Sequence, residues 1–220
     1  MRPFFNKYQQ RLTVFIFIWS IFGVALSYSR ILFAENLLMS FVTTSVYFTI
    51  QSNLLVAIVL LLTILKKDTR ILSFITLVNI TMTGLVFHVF LTDFMTSVSF
   101  INHVTHTITP LVYLLYFLLV DRQRLMFRLF WIGLVYPALY LLFVYGIVAP
   151  VLGETMSSMF PDLQAGSYVY PFLNPENYTN GILGLTLFIG FIMVPLVLIL
   201  SSILIALKHF IYARLYHEKS

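Results

Sequence analysis

Cysteine is absent from all 220 residues. That excludes disulfides, thiol nucleophiles, thiolate-ligated zinc and thioether-linked haem together. Charge is scarce as well: Asp, Glu, Lys and Arg make up 10% of the chain, against about 25% in soluble domains. The formal charge of +5 gathers into no basic run or face, so no nucleic-acid partner is expected. Internal repeats, low-complexity tracts and phosphate-cradling glycine loops are missing too.

What remains is apolar. Hydrophobic residues are 60% of the chain and the mean hydropathy is +0.95, the composition of a multi-pass membrane protein with no room for a soluble domain. Six apolar segments stand out, at about 12–32, 46–65, 71–92, 102–120, 127–149 and 181–207. At ~1.5 Å per residue each is long enough to cross a hydrocarbon core of ~30 Å. The fold expected is therefore all-α, a single six-helix transmembrane domain over residues 1–220.

The basic residues choose sides. Arg2, Lys7 and Arg11 precede the first segment, and Lys66, Lys67 and Arg70 follow the second. Arg122, Arg124 and Arg128 lie between the fourth and fifth, and Lys208, Arg214 and Lys219 follow the sixth. With six spans, 12 of the 13 fall on one side and only Arg30 opposite, which predicts both termini cytoplasmic. A signal peptide ending near Ala25-Leu26-Ser27 is the alternative for the first segment, but the apolar run exceeds a usual signal core. The long outer connection, about Pro150 to Asn180, carries Pro161, Pro171 and Pro175 with Tyr168, Tyr170 and Tyr178. Aromatics at that level suit the headgroup layer. Gly181 and Gly184, opening the sixth span, hint at close helix approach.

Two polar strings interrupt the apolar chain: Tyr47-Phe48-Thr49-Ile50-Gln51-Ser52-Asn53 and Asn102-His103-Val104-Thr105-His106-Thr107. Both sit in the first turns of spans running inward, so Thr49 and His106 fall at similar depth near the outer surface. Helical spacing groups Ser45, Thr49, Ser52 and Asn53, and likewise Asn102, His103 and His106, with Pro110 and Tyr113 below. The third span runs outward and brings His88 and Asp93 to the same end. Pro110 cannot donate to the His106 carbonyl, which predicts a kink there. Ionisable groups in a span default to a functional site with a named partner, here Thr49 with His106. The plainer alternatives are a threonine bonded to its own i−4 carbonyl and a histidine that only packs. His209 and His217 read as surface residues of the tail.

Asn102-His103-x-x-His106-Thr107-x-x-Pro110 resembles the N-H-x-x-H-T-x-x-x-P signature of the androgen-induced-gene and androgen-dependent tissue-factor-pathway-inhibitor-regulating proteins. Tyr47-Phe48-Thr49 is similar to that family's Leu-Thr-Phe segment, and Tyr170-Pro171-Phe172-Leu173 to its V-Y-P-F-L string. The strings cover about 20 residues, in the family's order; the proline comes one position early, Ile50 replaces an aromatic, and the preceding Trp-Lys is missing. The resemblance implies a compact bacterial relative in the cytoplasmic membrane, hydrolysing fatty acid esters of hydroxy fatty acids without a cofactor. It assigns Thr49 as nucleophile and His106 as base; Asn53, Asn102, His103, His88 and Tyr170 are candidates for support. The residue types leave rivals open: a metal-dependent lipid hydrolase using His88, Asp93, His103 and His106, a haem protein ligated through His88 and His103 or His106, or a transporter built around Asn79 and Thr83.

Overall fold

The computed structural model describes residues 7–92, 98–121, 123, 125–159 and 165–217, with residues 30, 159 and 215–217 described by main chain alone. Arg2, Asp93, Arg122, Arg124, Pro161 and Lys219 lie outside the described residues, as does the side chain of His217. The described residues form seven long helices, two short 3-10 turns at Pro171–Leu173 and Pro175–Asn177, and no strand; the long helices are α1 Lys7–Phe33, α2 Leu37–Ser45, α3 Phe48–Ile64, α4 Arg70–Leu91, α5 Phe100–Val120, α6 Phe127–Ser158 and α7 Ile182–Arg214. Five are long and apolar enough to cross a membrane, and a sixth span arises if α2 and α3, bent by 79°, are taken together.

That bend lies at the start of the expected second span, whose body coincides with α3. Asn36 starts α2 by accepting from the Met39 N–H at 2.9 Å, and Tyr47 breaks it with extended backbone (φ −68°, ψ 131°). Ser45 consequently belongs to α2 and bonds the Tyr28 hydroxyl at 2.7 Å, away from the Thr49 face. The fifth span also runs further than expected, through Pro150 to Ser158. The reason recurs along the chain. π-Helical segments cover Val144–Val148, Val104–Ile108 and Ile189–Met193, each ending two residues before a proline, Pro150, Pro110 and Pro195. A proline leaves the carbonyl four residues earlier without its donor; widening the turn to i→i+5 absorbs the mismatch. The helix continues through Pro110.

Sidedness is inverted relative to a soluble protein. Phe191 is 77% and Leu142 70% exposed, whereas Ser20, Ser52, Asn53, Thr76, Asn79 and Ser201 are buried. Apolar side chains outward and small polar ones inward is what lipid requires. The core packs Val56, Leu60, Phe74, Leu77, Phe117 and Ile205 between α3, α4, α5 and α7. At one end Lys208, 2% exposed, reaches the carbonyls of Phe117, Leu118 and Asp121 and lies over the Phe117 ring. A cation there satisfies the orphan acceptors at the C-terminus of α5 and meets the negative end of its dipole. His209, exposed, bonds the Leu125 carbonyl at 2.6 Å beside it.

Candidate functional site

Thr49 stands in the first turn of α3, just past the bend, where Phe48, Thr49 and Ile50 have no carbonyl one turn back for their N–H groups. The residue is buried, at 8% exposure. Its Oγ1 lies 3.0 Å from His106 Nε2 on α5. His106 Nδ1 faces the Asn102 carbonyl at 3.1 Å and Thr105 Oγ1 at 3.0 Å. Thr105 donates its own proton to the Ile101 carbonyl at 2.9 Å, so its oxygen is left to accept. Nδ1 therefore carries the hydrogen. In a neutral imidazole Nε2 is then the acceptor, and the Thr49 hydroxyl donates to it.

Neighbouring side chains hold this pair. Asn53 donates to the Thr49 carbonyl at 2.8 Å and to the Thr105 carbonyl at 3.2 Å, tying α3 to α5. The Phe87 ring stacks on the imidazole, 4.0 Å between centroids and 21° between planes. Behind the ring Gly84 brings α4 against α5: a Cβ there would stand 2.9 Å from the His106 carbonyl oxygen. That carbonyl is the one Pro110 leaves without a donor. Among the described residues no hydrogen bond joins His106 to a carboxylate; a main-chain carbonyl and a hydroxyl take that place.

Tyr170 reaches the site from the loop before α7. It is buried within the protein, and its hydroxyl accepts from the Thr49 N–H at 3.4 Å. Val169 turns it inward through left-handed backbone (φ 65°), closed by a Tyr170 N–H bond to the Tyr168 carbonyl at 2.6 Å. A β-branched residue in that region is strained. Of the other sequence candidates, His103 is exposed, and Asn102 contributes its main-chain carbonyl. His88, also exposed, bonds Thr107 at 3.0 Å with Phe87 between it and His106. Among the described residues no three His, Asp or Glu side chains form a group able to hold a metal ion, and Asp93 lies outside them.

Three residues escaped the sequence reading. Thr105 was adjacent to a chosen histidine, Gly84 was a lone glycine inside a span, and Phe87 gave no signal beyond its proximity to His88. Gly184, by contrast, packs on Tyr178 of its own loop and not on another helix, with a Cβ placed 2.8 Å from that side chain.

Thr49 also lines a cavity of about 210 Å³. Its floor and walls come from Met82 and Val86 on α4, Leu134 and Leu141 on α6, and Met193 and Val197 on α7. Phe172 and Leu173 roof it. Thr83 also lines it, but its hydroxyl is occupied by the Asn79 carbonyl at 3.0 Å, and that of Tyr140 by Val46 at 3.0 Å. The site thus pairs an activatable hydroxyl with a large apolar space. Compared with protein-family models, curated proteins and solved structures, the chain matches none.

Proposed function

We propose that this chain is a multi-pass membrane hydrolase of lipid esters, with Thr49 as nucleophile and His106 as its base. The observation that carries the proposal is the 3.0 Å contact from Thr49 Oγ1 to His106 Nε2 at the wall of an apolar cavity. A nucleophile, a base and a group orienting the base in series are the signature of covalent catalysis. Thr49 Oγ1 attacks the ester carbonyl while its proton passes to Nε2. The oxyanion forms at the N-terminus of α3, where first-turn N–H groups and the positive dipole end favour negative charge. The Tyr170 hydroxyl already takes the Thr49 N–H there. Collapse breaks the ester C–O bond, and His106 returns the proton to the departing alcohol. Water then attacks the acyl-threonine, giving up a proton to His106, and the fatty acid leaves as Thr49 regains its hydrogen.

Orientation and lineage complete the reading. The distribution of basic residues supports cytoplasmic termini, placing the pair towards the outer face of a bacterial cytoplasmic membrane. The motif strings around Thr49, His106 and Tyr170 support kinship with the androgen-induced-gene family and substrates such as fatty acid esters of hydroxy fatty acids.

A fluorophosphonate probe tests the nucleophile. Purified protein is expected to label at Thr49 and the Thr49→Ala variant not to; equal labelling of both would remove the assignment. Thr105→Val keeps the shape but deletes one acceptor of the His106 Nδ1–H. Losing one such bond, ~1.4 kcal/mol, predicts an approximately tenfold fall in kcat with KM unchanged.

A further inference from the structure

The cavity beside Thr49 is bounded above by a loop and below by packed helices. Above it the loop is fastened down. Tyr145 donates to the Leu173 carbonyl at 2.5 Å, Tyr178 to the Phe172 carbonyl at 2.8 Å and Asn177 to the Pro171 carbonyl at 2.8 Å. The Phe172 ring packs against Phe90 and Phe188. Below, α6 and α7 are closed on each other: Phe127–Leu134 packs along the Val194–His217 stretch. There Gly133 lies so close to α7 that a Cβ would fall 2.2 Å from Ser201 Oγ. Further out, no comparable packing joins Val135–Phe143 to Ile182–Met193. The two helices part.

The cavity lies in that parting. Ala138 on α6 lines it and is also exposed, so the space reaches the molecular surface at this residue. Opposite, Gly190 is exposed next to the lining residue Ile189, with nothing within 4 Å of the position its Cβ would take. Around this mouth Leu139, Leu142, Leu187 and Phe191 are exposed, on helices long and apolar enough to cross a membrane. Their surroundings are acyl chains. A route walled and rimmed by apolar groups admits a hydrocarbon chain and repels water.

We infer that the gap between α6 and α7, bounded by Ala138 and Gly190, is a lateral portal through which a fatty acyl chain slides from the bilayer to lie beside Thr49. The occupant is one alkyl chain of a membrane-dissolved lipid ester, an identification that rests on the hydrolase reading; the portal rests on the cavity and the parted helices.

A long-chain fatty acid ester carrying a diazirine near its chain end tests this in phosphatidylcholine vesicles containing the full chain. After illumination, insertion is expected at Met193 and Val197, inside the cavity. Ala138→Trp and Gly190→Trp, both filling open space, should each lower that insertion at least fivefold, whereas Ile18→Trp on the exposed face of α1, which lines no part of the cavity, should leave it unchanged. Ala138→Leu should give an intermediate loss, which separates plugging from misfolding. Insertion confined to exposed positions away from the mouth, such as Ile18 and Leu61, or unaltered by both tryptophans, would overturn the portal. Fatty acid release followed in the same vesicles separates the two readings. Insertion as expected without Thr49-dependent release retains the portal and discards the hydrolase; Thr49-dependent release with insertion indifferent to both tryptophans does the reverse.

Discussion

Thr49→Val should abolish ester hydrolysis, by a factor on the order of 10³ or more, in protein that still inserts and folds. Valine keeps the branched shape and removes only the hydroxyl that donates to His106 Nε2. Thr49→Ser retains that hydroxyl and should retain measurable activity. His106→Ala should cost as much as Thr49→Val, because an unactivated threonine is a poor nucleophile. Residues acting as one unit are not additive, so the double variant should be little worse than either single one. His103→Ala, altering an exposed ring, should lose far less. The measurement is fatty acid release from a lipid ester by detergent-purified protein; full activity in Thr49→Val would end the nucleophile assignment.

Gly84→Ala is expected to damage the Thr49–His106 pair severely. The added carbon would meet the His106 carbonyl oxygen at 2.9 Å and Pro110 Cβ at 3.4 Å, and neither belongs to a flexible side chain. Relief requires α4 and α5 to separate, carrying His106 away from Thr49 and from the Phe87 ring. A displacement near 1 Å costs about 10²-fold in rate, and overpacking of this kind about 1–3 kcal/mol in stability. Gly146→Ala is the matched control: nothing lies within 4 Å of its added carbon, and activity should be unchanged. Fatty acid release measured alongside thermal unfolding checks both, and a fully active Gly84→Ala would show that the α4–α5 approach does not set the geometry.

The sequence was most readable where lipid imposes the rule. A hydrocarbon core demands long apolar runs and makes every polar group inside them conspicuous, so the spans, Thr49, His106 and Asn53 could all be picked out unaided. It was least readable where one helix answers another. The turn between Ser45 and Phe48 depends on an Asn36 cap and on extended backbone at Tyr47, neither of which interrupts the hydropathy. Pro150 read as the start of a loop because its helix survives only through the wider turn before it. Tyr170 read as a headgroup aromatic because its burial depends on the backbone of Val169. Gly84, Phe87 and Thr105 matter through contacts to a histidine on another helix or to its far ring nitrogen. Neither kind of contact has a periodicity to betray it.

The imidazole held by a carbonyl and a hydroxyl, with no carboxylate among its hydrogen-bond partners, bears on how such a protein is made. A buried acid beside His106 would be a standing ion, and an ionisable acid at a helix centre costs about 2.5–3.5 kcal/mol each time a span leaves the insertion machinery. The stretch of α3 from Phe48 to Ile64 contains no Asp, Glu, Lys or Arg, and neither does α5. Each can enter lipid as an ordinary apolar segment before its partner arrives. In the proposed reaction charge would then be confined to the brief life of the oxyanion and imidazolium, which arise side by side and vanish together. On that proposal the site is assembled without charge and becomes ionic only during turnover.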